Sequence, residues 1–220
     1  MGKKFAASYS SGKDSTLAVY RAIEEGMEPV SLILTQNNDP SISWFHGLSE
    51  EMTGELSKAL DIPIERVVTS GEAYAADFEK ALIKCREEGA EVCVFGDIDI
   101  EGHLEWCTER CRNAGLTAYF PLWHRNREDV VREFIDSGFS TYLTVINSDV
   151  MDEKYIGQKL TYELLEEMKE DGIDVCGENG EYHSFVTDGP LFSRPVVVQF
   201  SKAKKESHYL VMDVEPVKHK

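Results

Sequence analysis

Basic residues are scarce in this chain. Lys and Arg number 23 against 40 Asp and Glu, which leaves a net charge of −17. Lys and Arg contacts to phosphate dominate nucleic-acid affinity. A surface of this sign therefore argues against a nucleic-acid partner and against a tRNA-thiolating enzyme. Cysteine is sparse too. The five are Cys85, Cys93, Cys107, Cys111 and Cys176, an odd count that argues against a disulfide framework. Cys107 and Cys111 lie one helical turn apart, but no second pair supports a zinc site, so buried free thiols are expected. No apolar run approaches the roughly 20 residues that a bilayer span needs. The basic start, Met1 to Ala7, has too short an apolar part for a secretory signal. Position 6 is Ala, where a myristoylation motif needs Ser or Thr. These absences together point to a cytoplasmic protein with no membrane partner. Internal repeats and low-complexity segments are missing as well.

Against the absences stands a regular alternation of apolar strand-like and helix-like runs. Strands are predicted over 5–8, 30–35, 66–69, 92–95, 117–119 and 141–146. Helices are predicted over 14–25, 48–60, 74–88, 101–114 and 127–136. This βαβα order implies an α/β fold, a parallel sheet with helices on both faces. Right-handed crossovers line up the loops after the strands along one edge, where ligands of such sheets bind. After residue 145 the pattern changes. A longer helix is predicted over 153–169, with Ile156, Leu160, Leu164, Leu165 and Met168 at helical spacing. Its glutamates suit a solvated face or the seam of a homodimer. Two β runs, 196–200 and 208–214, flank Lys202-Ala203-Lys204-Lys205, which reads as a solvated hairpin turn. The expected division is a larger α/β domain over 1–145 and a smaller C-terminal α+β domain over 146–220.

The most informative segment is Tyr9-Ser10-Ser11-Gly12-Lys13-Asp14-Ser15. A small-residue loop between a strand and a helix N-terminus gathers backbone N–H groups, and the helix dipole there favours negative charge. Ser10, Ser11 and Ser15 add hydroxyl donors, and Lys13 adds positive charge. Together they suit a polyphosphate. The loop is not a Walker A motif, because Gly12 has no partner glycine upstream and Asp14 follows Lys13. A carboxylate in that place suits a phosphate-bound Mg²⁺. The plainer reading is a Ser/Gly helix cap.

Two further segments carry chemistry. Gly96-Asp97-Ile98 follows a predicted strand on the same edge. Gly96 would let a nucleotide approach the backbone, and Asp97 suits Mg²⁺ or a ribose hydroxyl; a strand-to-helix cap is the alternative. The run 176–190 gathers Glu178, Glu181 and Asp188 around His183, among three glycines. Its carboxylates suit an amine-bearing substrate, and an ordinary histidine there titrates near neutral pH. A glycine-rich turn before a hairpin is the alternative.

The first loop resembles the Ser-Gly-Gly-x-Asp-Ser loop of the N-type ATP pyrophosphatases, with Ser11 where that pattern has its first glycine. The chain as a whole resembles the diphthine–ammonia ligase family, from about Lys3 to Pro190. The motifs occur in the same order: the phosphate loop, Gly96-Asp97-Ile98, Pro121-Leu122-Trp123, and Gly177-Glu178-Asn179-Gly180-Glu181-Tyr182 through Asp188-Gly189-Pro190. The resemblance implies a Rossmann-like, HUP-type nucleotide-binding domain followed by a smaller domain with the Gly-Glu motif. It also implies an ATP-dependent ligase that adenylates a carboxylate and amidates it with ammonia, releasing pyrophosphate and AMP. The implied acceptor is diphthine, a modified histidine of elongation factor 2, and the implied cofactors are ATP and Mg²⁺.

Carried over by residue, Ser10, Ser11, Gly12, Lys13, Asp14 and Ser15 would hold the phosphates, with Asp14 on the metal. His46, Gly96, Asp97 and Ile98 would line the nucleotide. Lys13, Asp14, Glu178 and Glu181 would serve catalysis. Glu105, Glu178, Glu181, Tyr182 and Asp188 would face the acceptor, and His103 stands where the family has Arg. Diphthine carries a trimethylammonium group, which Glu178, Glu181 and Tyr182 would hold by charge and cation–π attraction. With no glutaminase segment evident, free ammonium is the expected nitrogen donor. Two other readings stay open: an ATP pyrophosphatase-type enzyme that adenylates another small metabolite, and an ATP-binding sensor without turnover.

Overall fold

The alternation builds one five-stranded parallel sheet. Its strands are β1 (Lys4–Ser8), β2 (Glu28–Asn37), β3 (Ile64–Thr69), β4 (Val92–Val94) and β5 (Thr117–Tyr119), in the order β3-β2-β1-β4-β5. The structure is a computed structural model that describes residues 2–37 and 48–217; His46 lies outside the described residues. The chain divides into two compact units. The first holds residues 2–10, 14–37 and 61–125, and the second holds 11–13, 48–60 and 126–217.

In the first unit β1 is central, and its Phe5, Ala6 and Ala7 are fully buried. α1 (Lys13–Glu24) leads from β1 to β2, and α3 (Tyr74–Glu87) leads from β3 to β4. These crossovers run in opposite directions across the sheet, so right-handed connections put the two helices on opposite faces. The strand order reverses between β1 and β4, which makes that point of the carboxyl edge the switch point for ligands. α3 and α4 (Glu101–Ala114) share one core. Phe78, Leu82, Cys85, Cys107 and Cys111 pack there against Ile33, Cys93 and Phe95. The Cys107 and Cys111 spacing is therefore the inner face of α4. All five cysteines are buried, and none is in a disulfide. Burial pushes Cys85 up to about 11 and raises Cys93 and Cys107 as well, so these thiols are packing groups rather than nucleophiles.

The second unit is antiparallel. β6 (Ser140–Asn147), β7 (Tyr182–Asp188), β9 (Lys204–Glu206) and β10 (Tyr209–Val211) form a sheet in the order β7-β6-β10-β9. β8 (Val198–Phe200) pairs with β11 (Val214–Pro216). Three sequence expectations are corrected here. The run 141–146 is a strand but not a sixth parallel one, because a strand's own residues do not encode the direction of its partner. The expected helix over 153–169 breaks in two. Glu153–Tyr155 is a 3₁₀ turn, Gly157 takes φ 76, Lys159 bridges to Tyr142, and α6 (Tyr162–Glu170) starts afresh at Thr161. Thr161 caps α6 by accepting from Leu164 N at 3.3 Å. Finally, Lys204 and Lys205 belong to β9 rather than to a turn, which falls at Ser207 with φ 54. Lysines on an edge strand discourage further pairing.

The acidic side chains of α6 find partners within this unit: Glu166 on Arg132 at 2.8 Å and Glu167 on Lys154 at 2.7 Å. α2 (Glu50–Leu60) also belongs to it, since Ser193 N and Oγ donate to Ala59 O at 2.7 and 2.8 Å. α5 (Arg127–Asp136) is capped by Asn126, whose side chain accepts from Asp129 N at 3.1 Å. Among the described residues no helix is long and apolar enough to cross a membrane.

Candidate functional site

In the first unit, the turn after β1 is tied to the start of α1. Ser10 N donates to Ser15 Oγ at 3.2 Å, and the two hydroxyls lie 3.0 Å apart. The segment after β4 packs on the same helical turn. A Cβ on Gly96 would lie 2.7 Å from Ser15 N and 2.8 Å from the Asp14 carbonyl carbon. Real Cβ atoms do not come that close to backbone, so only glycine allows this approach. Asp97 comes next. Burial raises its carboxyl above the ordinary value; His103 opposes the rise, and the Asp14 charge adds to it. Asp97 Oδ1 lies 2.9 Å from His103 Nδ1. Asp14 and Asp97 thus present like charges along one edge, a donor set of hard oxygens that a cation would relieve. Ile98 was expected to line the nucleotide, but its side chain is wholly buried in the core. Its carbonyl accepts from His124 N at 2.7 Å. Glu105 is exposed on α4.

In the second unit, Ser11, Gly12 and Lys13 join β7 and the loop before it. Val186 N donates to Ser11 O at 2.9 Å, and Lys13 N donates to Ser184 Oγ at 3.1 Å. The Lys13 side chain is 4% exposed. Its Nζ donates to Cys176 O and lies 5.1 Å from the centroid of the Tyr182 ring. Burying an ammonium is costly, and the carbonyl and the π face offset part of that cost. The Tyr182 ring was expected to receive a substrate cation. That expectation is corrected: the ring is buried, carries Lys13, and its hydroxyl donates to Val175 O at 2.7 Å.

The Gly-Glu turn is built around that ring. Gly177 takes φ 71, and a Cβ on it would lie 2.9 Å from two Tyr182 ring carbons. Glu181 accepts from Asn179 N and Nδ2, both at 3.0 Å, so its carboxylate braces the turn. Glu178 sits half-buried on the turn. Asp188 accepts from Gly189 N at 2.9 Å. Sequence reading missed Ser184 and Asp174. The signal for Asp174 was present: an Asp two residues before Cys176 makes an Asx turn, with Cys176 N donating to it at 3.0 Å. Ser184 could have been found by period two along β7, one position on from Tyr182 on the same face.

Two features predict measurable effects. Ser11 holds φ 62, a left-handed conformation that costs a side chain about 1 kcal/mol. Ser11→Gly relieves that strain, partly offset by the freer unfolded chain. We expect a net gain of roughly 0.5 kcal/mol in urea unfolding; a loss would show that the serine hydroxyl outweighs the strain. His183 was expected to titrate near neutral pH, and this too is corrected. Burial, with the Lys13 charge adding, pushes it down to about 4. An unfolded histidine binds its proton near 6.5, so the neutral buried ring contributes full stability above that pH. The contribution falls as pH drops toward about 4. At pH 5 the loss is about 2 kcal/mol relative to pH 7. His183→Gln should lose about that much less than the wild type between these pH values. Equal losses would put the imidazole in water.

Comparison with known proteins also splits the chain in two, near residues 118–126. Family models described as the diphthamide synthase N-terminal domain and C-terminal domain match residues 3–118 and 126–218. A rat protein named diphthine–ammonia ligase is 29% identical, over 91% of this chain and 84% of its own. A mouse protein of the same name is 27% identical, over 93% and 86%. A solved structure described as a predicted subunit of tRNA methyltransferase from Methanocaldococcus jannaschii covers 88% of this chain and 100% of its own. Its TM-score is 0.46 at 15% identity, too loose a likeness to build on.

Proposed function

The chain belongs to the diphthamide synthase family, and from that premise we propose that it is an ATP-dependent ligase that amidates diphthine on elongation factor 2. The observation that carries the proposal is the loop Ser10 to Ser15 at the carboxyl end of β1, with Gly96 pressed against the first turn of its helix. That close backbone approach is what a phosphate-binding edge needs. The names of the relatives support the amidation of diphthine by ammonia.

The reaction runs in two displacements. A carboxylate oxygen of the acceptor attacks the α-phosphorus of ATP, the bond to the bridging oxygen breaks, and pyrophosphate leaves. Ammonia then attacks the acyl carbon, loses a proton, and AMP leaves. Lys13 and the loop N–H groups stabilise charge that grows on the leaving pyrophosphate. Ser10 and Ser15 orient the phosphates. Asp14 would hold Mg²⁺, with the Asp97 charge nearby adding to its pull; when bound, the metal neutralises phosphate charge. Glu181 keeps the Gly-Glu turn in shape, and Glu178 faces the acceptor.

The test is incubation of the pure protein with Mg-ATP, ammonium and diphthine-bearing elongation factor 2, followed by nucleotide analysis and mass measurement of the factor. AMP and pyrophosphate formed only with the factor, together with its conversion to the amide, are expected. AMP without amidation would move the search to another acceptor carboxylate. No turnover with any carboxylate acceptor would overturn the ligase reading.

A further inference from the structure

Lys13 belongs to the second unit, and the carbonyl that holds it lies in a turn built by Asp174. The run Asp174-Val175-Cys176-Gly177 has Asp at its first place and Gly at its fourth, a β-turn signature. Gly177 N donates to Asp174 O at 3.0 Å and closes the turn. The Asp174 side chain holds it a second time, with Oδ1 accepting from Cys176 N at 3.0 Å. The N–H and C=O of one trans peptide point in opposite directions. Because Gly177 N–H turns toward Asp174, the Cys176 carbonyl points away from it, and there it accepts from Lys13 Nζ.

Two distant parts of the same unit anchor this turn. Arg127, the first residue of α5, donates through Nη1 to the other Asp174 oxygen, Oδ2. Their side chains are only 28% and 17% exposed, so solvent screens this pair less than one on the open surface. Tyr182 holds the preceding peptide, with its hydroxyl on Val175 O at 2.7 Å. The same ring lies 5.1 Å from Lys13 Nζ. Carbonyl and ring are therefore fixed to one another through one short segment, and both contact the ammonium. A lysine stem is flexible, and its charge serves a reaction only where it is held in place beforehand.

We propose that Asp174, anchored by Arg127, is a positioning residue for Lys13: it directs the Cys176 carbonyl at the ammonium and so fixes where that charge stands. The service of this hold to AMP formation rests on the ligase reading; the hold itself does not.

Acetylation of the whole protein by acetic anhydride, read lysine by lysine by mass spectrometry, measures the hold without turnover. Lys13 should react at least about tenfold faster in Asp174→Ala than in the wild type. Lys58, exposed on α2 of the same unit, is the internal control and should react alike in both. Asp174→Asn keeps an acceptor for Cys176 N, and Arg127→Leu keeps the whole turn. Each should speed Lys13 only about threefold, and Arg127→Leu carries the test if Asp174→Ala does not fold. In turnover, Asp174→Ala should lower kcat for AMP formation at least about tenfold, with the KM for ATP within about threefold. The same substitution in a Lys13→Met background should lower kcat no further, because the two act as one unit. Unchanged Lys13 acetylation in the folded variants, or an acceleration shared by Lys58, would overturn the positioning role. An equal loss of kcat in the Lys13→Met background would make Asp174 merely structural and overturn it too. Faster Lys13 acetylation in Asp174→Ala, in a protein whose wild type forms no AMP, would leave the hold standing and the ligase reading fallen. AMP formation by a wild type whose Lys13 acetylation ignores Asp174 and Arg127 would do the reverse.

Discussion

Lys13→Met is expected to lower AMP formation by about a hundredfold or more at saturating ATP and ammonium. The substitution keeps the apolar stem and removes only the ammonium, so it isolates the charge. In the structure that ammonium donates to the Cys176 carbonyl and rests on the Tyr182 ring, at 4% exposure. Losing the hydrogen bond costs about 1 kcal/mol of stability, and removing a desolvated charge returns part of it. The variant should therefore fold. A phosphate oxygen offers Lys13 a full negative charge where Cys176 offers only a carbonyl dipole, so the larger effect belongs to turnover. AMP formation within threefold of the wild type would leave Lys13 as a structural pin between the loop and β7.

Gly96→Ala is expected to cost about 2–3 kcal/mol of stability and to raise the ATP concentration at half-maximal rate more than tenfold. The added Cβ meets backbone, Ser15 N at 2.7 Å and the Asp14 carbonyl carbon at 2.8 Å. Backbone cannot turn aside as a rotamer can, so either the β4 loop or the start of α1 must shift. The start of α1 carries residues assigned to the phosphates, and the β4 loop carries Gly96 and Asp97, assigned to the nucleotide. Denaturant unfolding and steady-state kinetics read the two effects separately. A variant with wild-type stability and kinetics would mean that the loop yields without strain and that the close approach has no role.

Much of this was written in local sequence. The helices over 101–114 and 127–136 agree with α4 and α5 to the residue, because each has an apolar stripe and a clear stop, Gly115 at φ 76 for the first. The turn after β1 and the close approach of Gly96 were legible for the same reason: glycine, serine and lysine between a strand and a helix constrain the backbone over only a few residues. Where the local signals conflicted, the reading failed. Over 153–169 the spacing of Ile156, Leu160 and Leu164 outweighed Gly157, whose φ of 76 ends the helical path.

What the tertiary structure alone decided is who lies beside whom. The direction of β6 came from β7 and β10, not from its own residues. Tyr182 turned from a substrate contact into the floor under Lys13, which reaches the nearby Cys176 carbonyl from 163 positions away. His183 turned from a neutral-pH titrant into a neutral ring, first through burial and then through the Lys13 charge. Composition and periodicity determine which segments become helix or strand, since those depend on neighbours along the chain. Burial and electrostatic environment depend on neighbours through space, and the chain assembles those only when it folds.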